Sequence, residues 1–258
     1  MDGYRQYCKE ASGFAFSDKD QGAFSTGRII DAEYCYLIPT GISSAIAAPM
    51  MCAGASTYEA LKVAGVMAGS NVGVVGLGGL GHMACLMAKQ MDANCVSVIF
   101  TRAPTPEKIR AARKLGHRAI DASGPYPFEC SDESSGIQLQ DLGKPDTLII
   151  CGNELPDWKN ILPVLTRRST IVLMSIVAGV DLRIPYMDFI LPGHRVIAST
   201  ECRKDRFAEM LSFVDGSGMQ PWLEEFEMTE KGLEEAFGKL EKGKMRFRGV
   251  LKVPEGGI

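Results

Sequence analysis

NVGVVGLGGLGHMA, residues 71–84, sets a valine-rich run, Val72–Val75, directly before Gly76, Gly78 and Gly81, three glycines in Gly-x-Gly-x-x-Gly spacing. Behind them Leu80, Met83, Ala84, Met87, Ala88 and Met91 recur at helical spacing, so one apolar stripe can lie on a sheet. A bare glycine triplet is a weak signal, but between a strand and an amphipathic helix it points to a dinucleotide. Gly76 permits the tight turn, Gly78 lets the backbone approach a pyrophosphate, and Gly81 lets the helix pack close to the strand. The first N–H groups of the helix, around Gly79, Leu80 and Gly81, then face the anion.

Outward from this turn, short β-branched runs alternate with helical patterns, the sequence form of βαβ units building a parallel sheet. Strands are expected at residues 72–75, 96–100, 147–151, 171–174 and 196–199, with a weaker one near Ala119 and Ile120. This predicts an α/β fold with a doubly wound parallel sheet. A second helix over residues 107–115 stops at Gly116, and a late one capped by Thr229 shares Leu233, Phe237 and Leu240 on one face before Gly243. A final strand is expected over residues 250–253. Residues 123–144, rich in Ser, Gly, Pro and acids, read as surface loop with room for a short helix.

Composition narrows the function. Twenty-eight Lys and Arg against 31 Asp and Glu leave a slightly acidic chain without a like-charge block, which argues against nucleic acid or a membrane surface as partner. The longest nearly apolar stretch, residues 171–180, is too short to span a bilayer, and residues 1–9 carry no secretory pattern. Eight cysteines at irregular spacing, without a Cys-x-x-Cys pair, fit reduced thiols. A cytoplasmic protein with small-molecule partners is expected, with a homo-oligomer open to it, and an inactive nucleotide-binding form could pair with a full-length subunit through the sheet edge near Val196.

The second strand ends beside the adenosine ribose, where NAD-specific folds offer an acid to the 2′-hydroxyl. Here the chain reads Phe100, Thr101, Arg102. A neutral hydroxyl followed by a fixed cation suits a 2′-phosphate, held bidentately by the guanidinium, and favours NADP(H) over NAD(H). Lys108 either adds a second positive charge or stands as a solvated lysine on a helix face. Arg102 itself has the alternative reading of plain surface charge.

The pairing of AAPMMCAGASTYEALK, residues 47–62, with GLGGLGHMA, residues 76–84, resembles the zinc-type alcohol dehydrogenases of the medium-chain dehydrogenase/reductase family. Ile38–Pro39, TIVLM (170–174), VIAST (196–200) and the closing LEKGKMRFRGVLKV (240–253) extend the likeness over essentially the whole chain. The resemblance implies a Rossmann domain over residues 56–200 and a remnant of a GroES-like catalytic domain built from residues 1–55 and 201–258. It implies interconversion of an alcohol with an aldehyde or ketone by hydride transfer. Cys52 matches a ligand of the family's catalytic zinc, and Ser56 a hydroxyl residue near the nicotinamide. Arg248 matches an arginine on the pyrophosphate, and the backbone at Cys151, Gly152, Ser175 and Ile176 is expected to line the cofactor cleft.

The family's other catalytic zinc ligands lie in an opening segment that would precede Met1, so a shortened chain is expected. His82, His117 and His194 form no ligand-like pair, and Cys8, which resembles the last cysteine of a structural zinc lobe, lacks its companions. One thiolate cannot hold a catalytic zinc, which needs three protein ligands. Two alternatives to the dehydrogenase therefore stand: an inactive NADP(H)-binding protein, and a zinc-free reductase of the same family.

Overall fold

The computed structural model describes residues 3–12, 22, 24, 25, 29–125, 127–130 and 143–253. The chain divides into two compact units, residues 1–55 with 201–258, and residues 56–200.

In chain order the elements are α1 (Ser44–Pro49), a π-helical turn (Met50–Gly54), α2 (Ala55–Ala64), β1 (Asn71–Val75), α3 (Gly79–Gln90), β2 (Cys95–Phe100), α4 (Pro106–Lys114), β3 (Arg118–Asp121) and β4 (Phe128–Glu129). They continue with β5 (Thr147–Ile150), α5 (Trp158–Ile161), β6 (Thr170–Leu173), α6 (Tyr186–Ile190), β7 (Arg195–Ala198), α7 (Lys204–Ser217), β8 (Leu223–Glu227), α8 (Glu230–Glu241) and β9 (Arg248–Lys252).

The larger unit is built on one seven-stranded sheet in the order β4-β3-β2-β1-β5-β6-β7, parallel except for β4. From β1 the chain winds outward through β2 and β3, then returns to lay β5 on the other side of β1. The order reverses there, and open α/β sheets bind ligands at the carboxyl ends of the strands beside such a reversal. The expected doubly wound sheet is present. Its central strands are buried on both faces, with Val72, Val74, Leu148 and Ile149 fully covered, which is why they read as continuous β-branched runs rather than alternating ones. The apolar stripe of α3 is core, since Met83, Ala84, Met87 and Ala88 have no exposed surface. Helix α4 stops where expected, at Gly116 with φ +79.

Two strands were not legible. The β4 strand has two residues, antiparallel to β3, too few to show a period. The β8 strand, LEEFE, buries only Phe226 and so reads as polar chain. Of the expected loop over 123–144, residues 131–142 lie outside the described residues.

In the smaller unit, β8 and β9 pair in parallel around α8. Thr229 caps α8 through Gly232 N–H (3.2 Å), and Gly243 follows at φ +61. The shared face of that helix is less covered than its spacing suggests. Phe237 and Leu240 remain about half exposed and line an apolar cavity of about 270 Å³ with Phe24, Phe226 and Met245. Ser43 caps α1, and Tyr36 stacks on Phe207 at 4.7 Å. Among the described residues no helix is long and apolar enough to cross a membrane.

The histidines are structural. His82 Nδ1 lies 3.1 Å from the Gly78 carbonyl, and His194 Nδ1 lies 2.6 Å from Ser169 Oγ. His117 is buried, and burial, reinforced by nearby Lys89, lowers its pKa to about 4. Between about pH 6.5 and 4 the unfolded chain therefore takes up a proton that folded His117 refuses, so stability falls with pH across that window. Thermal unfolding followed by circular dichroism should show the midpoint dropping from pH 7 to 4.5. His117→Gln should flatten that slope, and an unchanged slope would refute the assignment.

Candidate dinucleotide-binding site

The turn after β1 has the geometry that a diphosphate needs. Gly76 sits at φ +91, a left-handed conformation that other residues adopt only at a cost, and a Cβ there would lie 3.1 Å from the Gly152 backbone. At Gly81 an added Cβ would stand 1.8 Å from the Gly76 carbonyl oxygen, so the helix lies directly on the turn. Around Gly78 the opposite holds: among the described residues nothing beyond its chain neighbours stands within 4 Å of the position a Cβ would take. Gly78 also precedes α3 without a side-chain cap, and the first helical bond is His82 N–H to Gly78 carbonyl at 3.0 Å. The N–H groups of Gly79, Leu80 and Gly81 are thus the unbonded start of a twelve-residue helix, where an anion is favoured. The cradle is bare peptide, as the motif requires.

The far wall comes from the turns after β5 and β6. Ser175 Oγ donates to the Gly152 carbonyl at 2.5 Å and lies 3.3 Å from that of Ile150, so it ties the two turns together. Gly152 in turn supports Gly76, which joins three loops at the carboxyl edge of the sheet. Cys151 is half-buried, and burial pushes its thiol pKa up to about 12, which favours the protonated thiol. Ile176 projects with 87% of its surface exposed beyond these turns.

On the near side, Thr101 and Arg102 follow β2. Arg102 is 80% exposed and lies 3.7 Å from the carboxylate of Glu154, a residue of the turn after β5 that the sequence reading missed. The strand order carries the signal, because the turns after β2 and β5 must flank the turn after β1. Lys108 is exposed on the first turn of α4, whose cap is Thr105.

Cys52 lies exposed in the π-helical turn, and Ser56 is half-buried in the first turn of α2. Within the smaller unit Arg248 has a buried Nε with no hydrogen-bond partner among the described residues. Burial lowers its pKa, and the charge that Cys52 would carry as a thiolate opposes that shift. A buried, unbonded guanidinium nitrogen is a group that calls for an anion. A zinc ion fits these residues poorly. Among the described residues no three His, Cys, Asp or Glu side chains converge to hold a metal.

Residues 79–216, more than half the chain, match the family model described as zinc-binding dehydrogenase. The chain belongs to the zinc-binding dehydrogenase family. The resemblance read from the PMMCAG segment and the glycine turn holds at that level. An alcohol dehydrogenase of Geobacillus stearothermophilus is 30% identical over 254 residues, covering 98% of this chain and 65% of that protein. The NADP-dependent alcohol dehydrogenase 6 of Saccharomyces cerevisiae is 28% identical over 233 residues, covering 90% and 61%. Among solved structures, a cinnamyl alcohol dehydrogenase from Sorghum bicolor superposes with TM-score 0.67 at 27% identity, over 83% of this chain and 57% of that one. The CAD from Helicobacter pylori complexed with NADP(H) gives 0.63 at 28% identity, over 83% and 55%. The chain therefore spans about 65% or less of each of these relatives.

Proposed function

We propose that this chain binds NADP(H) on the turn after β1 and serves the interconversion of an alcohol with an aldehyde or ketone. The open space at Gly78, at the uncapped start of α3, carries this reading. Support for the phosphate-bearing cofactor comes from Thr101 and Arg102, where a cation replaces the acid that would take a ribose hydroxyl. Lys108, exposed on the first turn of α4, is open either to a second positive charge for that phosphate or to plain solvation.

In this reading each residue has a defined task. The N–H groups of Gly79, Leu80 and Gly81 bind the diphosphate, and Arg248 is carried from the family likeness as a cofactor contact, its unbonded Nε being the group that would take an anion. Thr101 and Arg102 hold the 2′-phosphate. Cys151, Gly152, Ser175 and Ile176 shape the wall beside the nicotinamide and exclude water there, Ser175 by fixing the Gly152 carbonyl. Ser56 offers a hydroxyl to the reacting oxygen. When bound, the nicotinamide supplies the carbon that carries the hydride. We assign no step to zinc through this chain's own residues, since Cys52 has no companion ligand among the described residues. That observation favours a second reading, an NADP(H)-binding protein without metal chemistry. The edge strand β7 and the exposed Tyr186, Met187 and Leu191 are the features we would assign to pairing with a second copy of the chain.

Fluorescence titration of the purified chain with NADPH and NADH, combined with metal analysis and an aldehyde-reduction assay, tests this. Arg102→Ala should weaken NADPH by about 1 to 2 kcal/mol, roughly 5- to 30-fold, with NADH little changed. Equal weakening of both cofactors would end the phosphate-binding role. Tight NADPH binding without zinc and without turnover would favour the second reading.

A further inference from the structure

The contact between Arg102 and Glu154 is unusual in where it runs. Arg102 follows β2 and Glu154 lies in the turn after β5, and these two strands flank β1 on either side. All three strands are parallel, so their following turns share one edge of the sheet. The ion pair therefore spans the carboxyl end of β1, where the glycine turn sits, a width of roughly two strand spacings, about 10 Å. The pair thus stands beside the turn on which the proposed dinucleotide would sit.

We propose that Glu154 narrows the preference for NADP(H) over NAD(H), by competing with the 2′-phosphate for the Arg102 guanidinium. The inference rests on Arg102 being the phosphate's partner. A phosphate gripped bidentately needs the Arg102 guanidinium, whose Nη1 stands 3.7 Å from the Glu154 carboxylate in its absence, and a carboxylate left beside the phosphate repels it. NAD(H) presents only a hydroxyl at that position and leaves the pair closed. Glu154 thus lowers NADP(H) affinity selectively and narrows the preference that Arg102 creates. The effect is modest because both side chains are largely exposed, 80% and 71%, and exposed pairs are weak and screened by salt.

The experiment is a pair of NADPH and NADH titrations on the full chain and on Glu154→Gln, Arg102→Ala and the double variant, at low and high salt. Glu154→Gln should tighten NADPH roughly 3- to 10-fold at low salt and less at high salt, with NADH unchanged within about 2-fold. In the Arg102→Ala background the gain should shrink to the part that comes from direct repulsion. If Arg102→Ala is selective for NADPH while Glu154→Gln changes nothing, the competition is overturned and the Arg102 reading stands. If Glu154→Gln weakens NADPH, Glu154 holds Arg102 in place for the phosphate and the proposed sign is wrong. If Arg102→Ala weakens both cofactors equally, or neither binds, the underlying cofactor reading fails and the inference falls with it.

Discussion

Gly78→Val is expected to weaken dinucleotide binding by on the order of 100-fold while leaving the unfolding midpoint of the chain unchanged. Gly78 adopts φ −112 and ψ −156, an extended conformation with negative φ that is not reserved to glycine, and among the described residues no atom beyond its chain neighbours stands within 4 Å of the new Cβ. The folded chain alone therefore has no quarrel with valine. A diphosphate drawn onto the helix start meets the two new methyl groups, a steric cost of roughly 2 to 3 kcal/mol, close to the upper range for overpacking a filled site. Titration with NADPH beside a thermal melt checks both halves. Retained tight binding would remove the site from this turn altogether.

Three residues on, the expected result reverses. Gly81→Ala should unfold the chain at a midpoint roughly 5 to 10 °C lower, because its Cβ would stand 1.8 Å from the Gly76 carbonyl oxygen. Alanine gains about 1 kcal/mol over glycine in a helix, and an open site would show that gain as a stabilisation. Here the obstacle is backbone rather than a flexible side chain, so α3 or the turn must move and the clash wins. A melt equal to or above that of the parent chain would show that α3 has room the geometry denies. Opposite outcomes at two glycines of one motif separate the glycine that faces a ligand from the glycine that packs.

That separation also marks how far the sequence could be read. The central strands, α3, the left-handed turn at Gly76 and the close packing at Gly81 were legible because spacing, β-branched runs and burial all point the same way. Both β4 and β8 escaped, one for its length and the other because four of its five residues remain partly or fully open to water. The apolar face of α8 was legible as a pattern but not as a cavity lining, since spacing says which residues share a face and not what covers it. Arg102 was legible as a charge at the end of β2. Its ion pair was not, because Glu154 lies 52 positions further on and only the sheet order brings the two together. Thr101, Lys108, Ser56, Cys52 and Arg248 were named by motif or by family likeness, and they carry proposals for experiment.

The contact between Gly76 and Gly152, with Ser175 gripping the Gly152 carbonyl, has no long side chain in it. A mould made of main chain cannot swing aside or collapse when empty, so its shape is set when the protein folds and little freedom remains to be lost as a guest arrives. What such a seat gives up is adaptability: variation in what it holds has to come from the residues around its rim, among which Arg102 and Glu154 stand.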